Sequence, residues 1–284
     1  MKVKRSNIKV GEKIAQGGYA EIFQCTYQGK EYVLRQLKGD LLFKRKIVNQ
    51  FLDGIRHRKT SSDNDHIVKF VGYGGNRFIK PFELIERQNK TTLKDIIVQK
   101  HRFAVSKPLD LLINCAQGLK HVHDCNLIHL DIKPENYLLS LNPEPGNYLK
   151  LTDFDLTIPA TTSYLDSVTS GSLMYLPLEH IRRKKVSKAT DVYSFGVMAY
   201  NLYCYQTPFM KSVDEIADDY QIKYPSGFEE RIPQEIRDFI EKCMHKFPEE
   251  RFINGDSLLD SLLSIQRKLN KEKSTVHGQK EKGS

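Results

Sequence analysis

Three side chains within six residues set the chemistry open to this chain: Asp131, Lys133 and Asn136, in the run His129-Leu130-Asp131-Ile132-Lys133-Pro134-Glu135-Asn136. Asp131 could accept a proton from an attacking alcohol. Lys133 could offset charge on a phosphate, and Asn136 could give an oxygen to a divalent ion. Phosphoryl transfer asks little covalent chemistry of a protein and much placing of charge, so this trio on one short loop suits it. Seventeen residues after Asn136 comes Asp153-Phe154-Asp155, behind the apolar stretch Leu149-Lys150-Leu151-Thr152. An aspartate there could chelate the same ion between two phosphates. An ordinary polar turn between a helix and a strand would leave all four groups unexplained.

The flanking sequence predicts the elements that must hold these groups. Leu109 to His123 sets Leu112, Cys115, Ala116 and Leu119 on one face, which predicts a helix leading into the loop. Leu149 to Thr152 predicts a short strand just before Asp153. Far upstream, residues 9–37 alternate as three strands, with the small-residue turn Ala15-Gln16-Gly17-Gly18-Tyr19-Ala20 after the first and Gln28-Gly29-Lys30 after the second. Ile47, Phe51 and Ile55 predict an amphipathic helix over 43–56. A polar insertion, Arg58 to Asp65, then leads to an expected strand at His66–Val71. Helical periodicity returns over Asp191–Tyr203 and Pro233–Cys243, and no internal repeat is present. A strand-rich first part thus joins a helix-rich second part, with the chemistry near the junction.

Composition narrows the class. The 284 residues are 39% hydrophobic and 28% charged, the balance of a globular protein and not of a disordered chain. No apolar run nears the ~20 residues a membrane helix needs, and no apolar core follows the basic start Met1-Lys2-Val3-Lys4-Arg5. Cys25, Cys115, Cys125, Cys204 and Cys243 are scattered without metal-knuckle spacing, which suits a reducing, cytoplasmic setting, host cytosol included if the chain is a secreted effector. Of the net charge of +9, residues 267–284 carry +4 (six Lys or Arg against Glu272 and Glu281) and almost no apolar side chains. That composition predicts a disordered basic tail, able at most to touch anionic surfaces. Arg182-Arg183-Lys184-Lys185 reads as a solvated loop, and no recognition motif accompanies the charge, so nucleic acid is not an expected partner.

Taken in order, these motifs resemble those of eukaryotic-type protein kinases. The run at 129–136 is similar to the family's catalytic loop H-R-D-x-K-x-x-N, and Asp153-Phe154-Asp155 to its D-F-G. Gly171 to Glu179 looks like the end of an activation segment, with Arg251 the fitting partner for Glu179, and Asp191 matches the aspartate that holds the catalytic loop's backbone. The resemblance covers residues 8 to 266 and implies an α+β, bilobal fold: an N-lobe at 1–88, a C-lobe at 89–266 and the tail at 267–284. It implies ATP and Mg2+ as cofactors, Asp131 as base with Lys133 beside it, and Asn136 and Asp153 as metal ligands. Nucleotide contacts are implied for Ile14, Gly17, Gly18, Ala20, Ile22 and Arg35, and for Glu86 and Gln88 behind a gatekeeper at Ile85. Lys133 two residues after the aspartate is the serine/threonine pattern, so the implied partner is a protein with Ser or Thr acceptors.

The chain also departs from the family pattern. The glycine loop is Ala15-x-Gly17-x-x-Ala20, and Asp155 stands where the family has glycine. Arg35 stands for the strand-three lysine, and no Asp or Glu lies between Asp40 and Asp53, where its helix partner belongs. The ion pair is therefore expected to be absent, Arg35 to be an impairment, and Arg35→Lys not to abolish activity. Leu130 replaces the arginine that binds a phosphorylated activation loop, so phosphorylation at Ser163, Ser167, Thr169 or Ser170 is not expected to be a large on-switch. The leading expectation is a serine/threonine protein kinase, possible in a slow form. The alternatives are a pseudokinase that binds nucleotide or protein, and a small-molecule kinase, against which Lys133-Pro134-Glu135-Asn136 and the long segment from Asp153 to Glu179 speak.

Overall fold

Five antiparallel strands in the order β1-β2-β3-β5-β4 form the first half of the computed structural model: β1 Ile8–Gln16, β2 Ala20–Tyr27, β3 Lys30–Leu37, β4 Phe70–Gly74 and β5 Phe82–Glu86. The structure describes every residue except 77, 100–107, 145, 167–172, 209–221, 228, 229 and 281–284. Gln28 and Gly29 join β2 to β3 with φ of 50° and 75°, the left-handed pair that matches a tight hairpin to strand twist. Alternation then gives each face its task. Leu34 and Leu84 pack with Val3, Ile8 and Phe82 on one side, while Val33 and Ile85 meet Val68 on the other. Arg35 and Glu83 lie directly opposite one another across β3 and β5, on that second face.

Helix α1, Arg45–Ser61, closes the sheet by burying Val48, Phe51 and Ile55 against Ala20, Leu37 and Leu41. It runs through the segment whose polarity suggested an insertion, and Arg58 there is fully buried. The reason is local: Glu83 and the Phe154 ring lie beneath it. The strand expected from His66 starts instead at Phe70, with Ile67 and Val68 tied to Leu151.

The second half is helical. It comprises α2 Leu93–Val98, α3 Pro108–Asp124, α4 Leu178–Arg183, α5 Lys188–Cys204, α6 Gln234–Cys243 and α7 Gly255–Lys280. Two small sheets lie among them, β7 (Tyr137–Glu144) with β8 (Asn147–Leu151), and β6 (Leu127–Ile128) with β9 (Ile158–Pro159). Thr92 and Asp95 cap α2 reciprocally. α5 is buried almost all round, and a Cβ at Gly196 would fall 2.6 Å from Cys243 Cβ, so glycine permits α5 and α6 to approach. α7 continues through the segment expected to be disordered, as far as Lys280, with Leu269 against the core and Lys268 paired with Glu235. All five cysteines are free thiols, and among the described residues no helix is long and apolar enough to cross a membrane.

Candidate active site

The loop between β6 and β7 is held from below. The Asp191 carboxylate accepts from the His129 and Leu130 amides at 2.7 and 2.8 Å, and lies 3.0 Å from His123 Nε2. Leu130 needs that support, because its φ of 62° costs a non-glycine residue about 1–2 kcal/mol. Above this floor, Lys133 Nζ donates to both Asp131 oxygens at 2.8 Å. Asn136 Nδ2 donates to the Asp131 carbonyl at 2.7 Å and to its carboxylate at 2.8 Å, which leaves the amide oxygen as the end available to a ligand.

Asp153 reaches the same place from β8. The Thr152 amide donates to the Asn136 carbonyl at 2.9 Å, so the two loops are joined at the backbone. Asp153 has φ 61°, and Phe154 behind it packs edge-on against His129 at 5.0 Å. Burial drives the Asp153 carboxyl upward, but Arg35, Arg58, His129 and Lys133 outweigh it and hold it below the usual carboxylate value. The His129 imidazole is pushed below its ordinary value by its own burial.

Arg35 is the hub of the upper wall. It pairs with Glu83 opposite, and its Nη2 lies 2.9 Å from Asp155 Oδ2 and 3.2 Å from Asp153 Oδ1. Glu83, fully buried, also accepts from Arg58 Nε at 3.1 Å, and Arg58 lies over the Phe154 ring at 4.9 Å. α1 does lack an acid for Arg35, as its sequence predicts. The strand cation is nevertheless not unpaired: its carboxylates come from the neighbouring strand and the Asp153 loop. Burial works against the Arg35 charge, but Asp155, Glu83 and Asp153 reverse this and keep the guanidinium protonated. Asp155 is pushed up to about 7 by burial, against the pull of Arg35 and with the push of Asp153 and Glu83.

These walls enclose a cavity of about 690 Å3 lined by all the residues singled out in the sequence: Ile14, Gly17, Gly18, Ala20, Ile22, Arg35, Glu86, Gln88, Asp131, Lys133, Asn136 and Asp153. Apolar Val33, Ile85 and Leu138 line it with them, so an aromatic base has a slot and phosphates a polar end. The Glu86 amide is committed to the Lys69 carbonyl at 3.0 Å, and its side chain to Lys150 at 3.0 Å. Neither Gly17 nor Gly18 is required by the fold: a Cβ at Gly18 would meet nothing within 4 Å. One carboxylate (Asp153) and one amide oxygen (Asn136) facing a cleft suit an ion such as Mg2+ that keeps waters and substrate oxygens as its other ligands. Among the described residues no cluster of three or more His, Cys, Asp or Glu forms a protein-only cage.

Behind the site, Arg251 clamps Glu179 at 2.7 and 3.1 Å, as the motif order implies. Gly171, Ser172, Ser167, Thr169 and Ser170 lie outside the described residues. Sequence reasoning missed Glu83, Asp155 and Arg58 as members of the charged network. Glu83 hid in a strand that reads as plain core. Arg58 hid in an apparent polar insertion, and only their shared burial reveals them.

Comparison with known proteins agrees with this geometry. The chain matches the protein kinase domain family over residues 8–261 and belongs to it. It is 25% identical to the "probable serine/threonine-protein kinase" of Clostridium acetobutylicum over 91% of this chain and 40% of the relative. To the serine/threonine-protein kinase PknA of Corynebacterium glutamicum it is 25% identical over 89% of this chain and 55% of that protein. With the calcium/calmodulin-dependent protein kinase type I of Schizosaccharomyces pombe it shares 26% identity over 91% of this chain and 79% of the relative. The chain thus spans about half the length of the bacterial relatives.

Proposed function

We propose that this chain is an ATP- and Mg2+-dependent serine/threonine protein kinase domain, residues 1–88 holding the nucleotide and 89–266 the catalytic loop and protein substrate. One observation carries the reading: Asp131, Asn136 and Asp153 face a single cavity, with Asp131 fixed by Lys133 and Asn136. Asp131 accepts the proton of the attacking Ser or Thr hydroxyl, and its bonds to Lys133 and Asn136 orient it for that task. Lys133 stands ready to offset phosphate charge. Asn136 and Asp153 would hold Mg2+, which when bound neutralises charge on the phosphates. Arg35, with Gly17 and Gly18, holds the phosphates, and Ile14, Ala20, Ile22, Ile85, Glu86 and Gln88 hold the base.

Activity here does not wait on a phosphorylated activation loop. Leu130 is buried with Ile128 and Val186 against Leu156, Ile158 and Leu165, so apolar contact anchors the segment where the family's arginine would grip a phosphate. Incubation of the purified chain with Mg2+ and labelled ATP, beside Asp131→Asn, tests the assignment. Label transfer by the wild type alone supports it. Nucleotide binding without transfer by either would favour a second reading, a nucleotide-binding pseudokinase, which the commitment of Arg35 to protein carboxylates favours.

A further inference from the structure

Arg35 and Asp155 both depart from the family pattern, and in the fold they touch, at 2.9 Å. On α1, Gly54 lies against Asp155. A Cβ built there would lie 3.1 Å from Asp155 Oδ1, 3.1 Å from Asp155 Cα and 3.0 Å from the Phe154 carbonyl oxygen. A side chain at 54 would therefore crowd the Asp155 carboxylate and, with it, the Phe154–Asp155 backbone. Asp155 Oδ1 is buried and has no hydrogen-bond partner among the described residues, a costly state for a carboxylate oxygen. Phe51, the other α1 side chain beside Arg35, offers only its ring, 5.7 Å from the guanidinium carbon.

We propose that Asp155 is the positioning carboxylate for Arg35, in the part a helix glutamate usually plays, and that Gly54 is the steric counterpart that makes room for it. The inference rests on the kinase reading above. It explains why α1 carries no acid toward the site, and why a cation with a forked head stands at 35. One nitrogen, Nη2, bridges Asp153 and Asp155, so the phosphate-facing cation and the metal-binding loop form one rigid unit. Glu83, immobile on β5, fixes the other side of the fork. α1 supplies no acid to this pair; its one charge in the network is Arg58, which donates to the second oxygen of Glu83.

Four variants test this: Asp155→Asn, Asp155→Gly, Gly54→Glu and the double Gly54→Glu/Asp155→Gly. Each is scored for Mg·ATP dissociation constant, for KM and kcat of transfer, and for thermal midpoint. Asp155→Asn keeps the shape, so ATP affinity and kcat/KM fall about tenfold, the worth of a charged hydrogen bond, with no drop in midpoint. Asp155→Gly loses as much. Gly54→Glu alone is impaired by crowding two carboxylates. The double variant recovers at least about threefold over Gly54→Glu alone, because one of the two crowding carboxylates is gone, a non-additive cycle. Wild-type affinity and kcat/KM in Asp155→Asn would overturn the proposal, as would a double variant no better than Gly54→Glu. A wild type that transfers no phosphate overturns the kinase reading alone, because the affinity cycle still decides this one.

Discussion

Arg35 shows how far a single side chain depends on what surrounds it. Beside the family's lysine it reads as a defect, and Arg35→Lys reads as a change that leaves activity standing. In the fold its fork serves Glu83, Asp153 and Asp155 together, with its side chain only 8% exposed. A lysine is a point charge on a flexible stem and cannot satisfy three fixed carboxylates at once. Removing one partner of a buried pair also leaves its companions uncompensated. We therefore expect Arg35→Lys to lower kcat/KM for ATP by about tenfold or more, because a positioned charge in this chemistry contributes several kcal/mol. Steady-state kinetics at saturating protein substrate would show it. Unchanged kinetics would return Arg35 to the status of a tolerated substitution.

Two elements stand or fall with one side chain each. Arg251 has no exposed side-chain surface; it clamps Glu179 at the start of α4, donates to the His245 and Ala189 carbonyls and lies over the Tyr193 ring. Arg251→Ala is expected to cost about 3–5 kcal/mol, the range for breaking a buried pair from one side. Urea unfolding would read this as a lower midpoint at constant slope, and a loss under about 1 kcal/mol would show that α4 is held by packing alone. The catalytic loop depends likewise on Asp191 in α5. Asp191→Ala strands the buried His129 and Leu130 amides at the point where Leu130 holds a left-handed backbone. Transfer should fall at least about a hundredfold while nucleotide still binds, since a misplaced base loses rate and leaves the base slot intact. Single-turnover assays beside nucleotide titration separate these outcomes.

At the scale of the molecule, buried titratable groups set the pH response. His57, His66, His129 and His180 are all pushed below the ordinary histidine value by burial. A depressed folded pKa means the unfolded chain binds protons first. This stability is complete above about pH 6.5 and is lost as pH falls through the folded values. Asp155 works in the opposite sense: raised to about 7, it adds stability at low pH that is lost as pH rises through 7. The two senses oppose each other between pH 7 and 5. In Asp155→Asn the opposing contribution is gone, so its thermal midpoint should fall more steeply than the wild type's on acidification across that range. Differential scanning fluorimetry of the pair checks this, and parallel midpoint curves would contradict the assignment.

The chain's order alone determined the division into a sheet and a helical body, the run from His129 to Asn136 and the place of Asp153 behind its strand. Each depends on local pattern: alternation in β2 and β3, helical spacing in α3, and Asp131, Lys133 and Asn136 at fixed steps. Asp191 and the pair Glu179–Arg251 were legible too, because they sit within short, ordered motifs. Only the tertiary structure decided what balances Arg35. Glu83 is distant in sequence but opposite in the sheet, Asp155 arrives on another loop, and Gly54 is defined by the space it leaves. Charge balance in a buried site is a sum over neighbours in space, and sequence spacing carries no record of which carboxylate faces which cation.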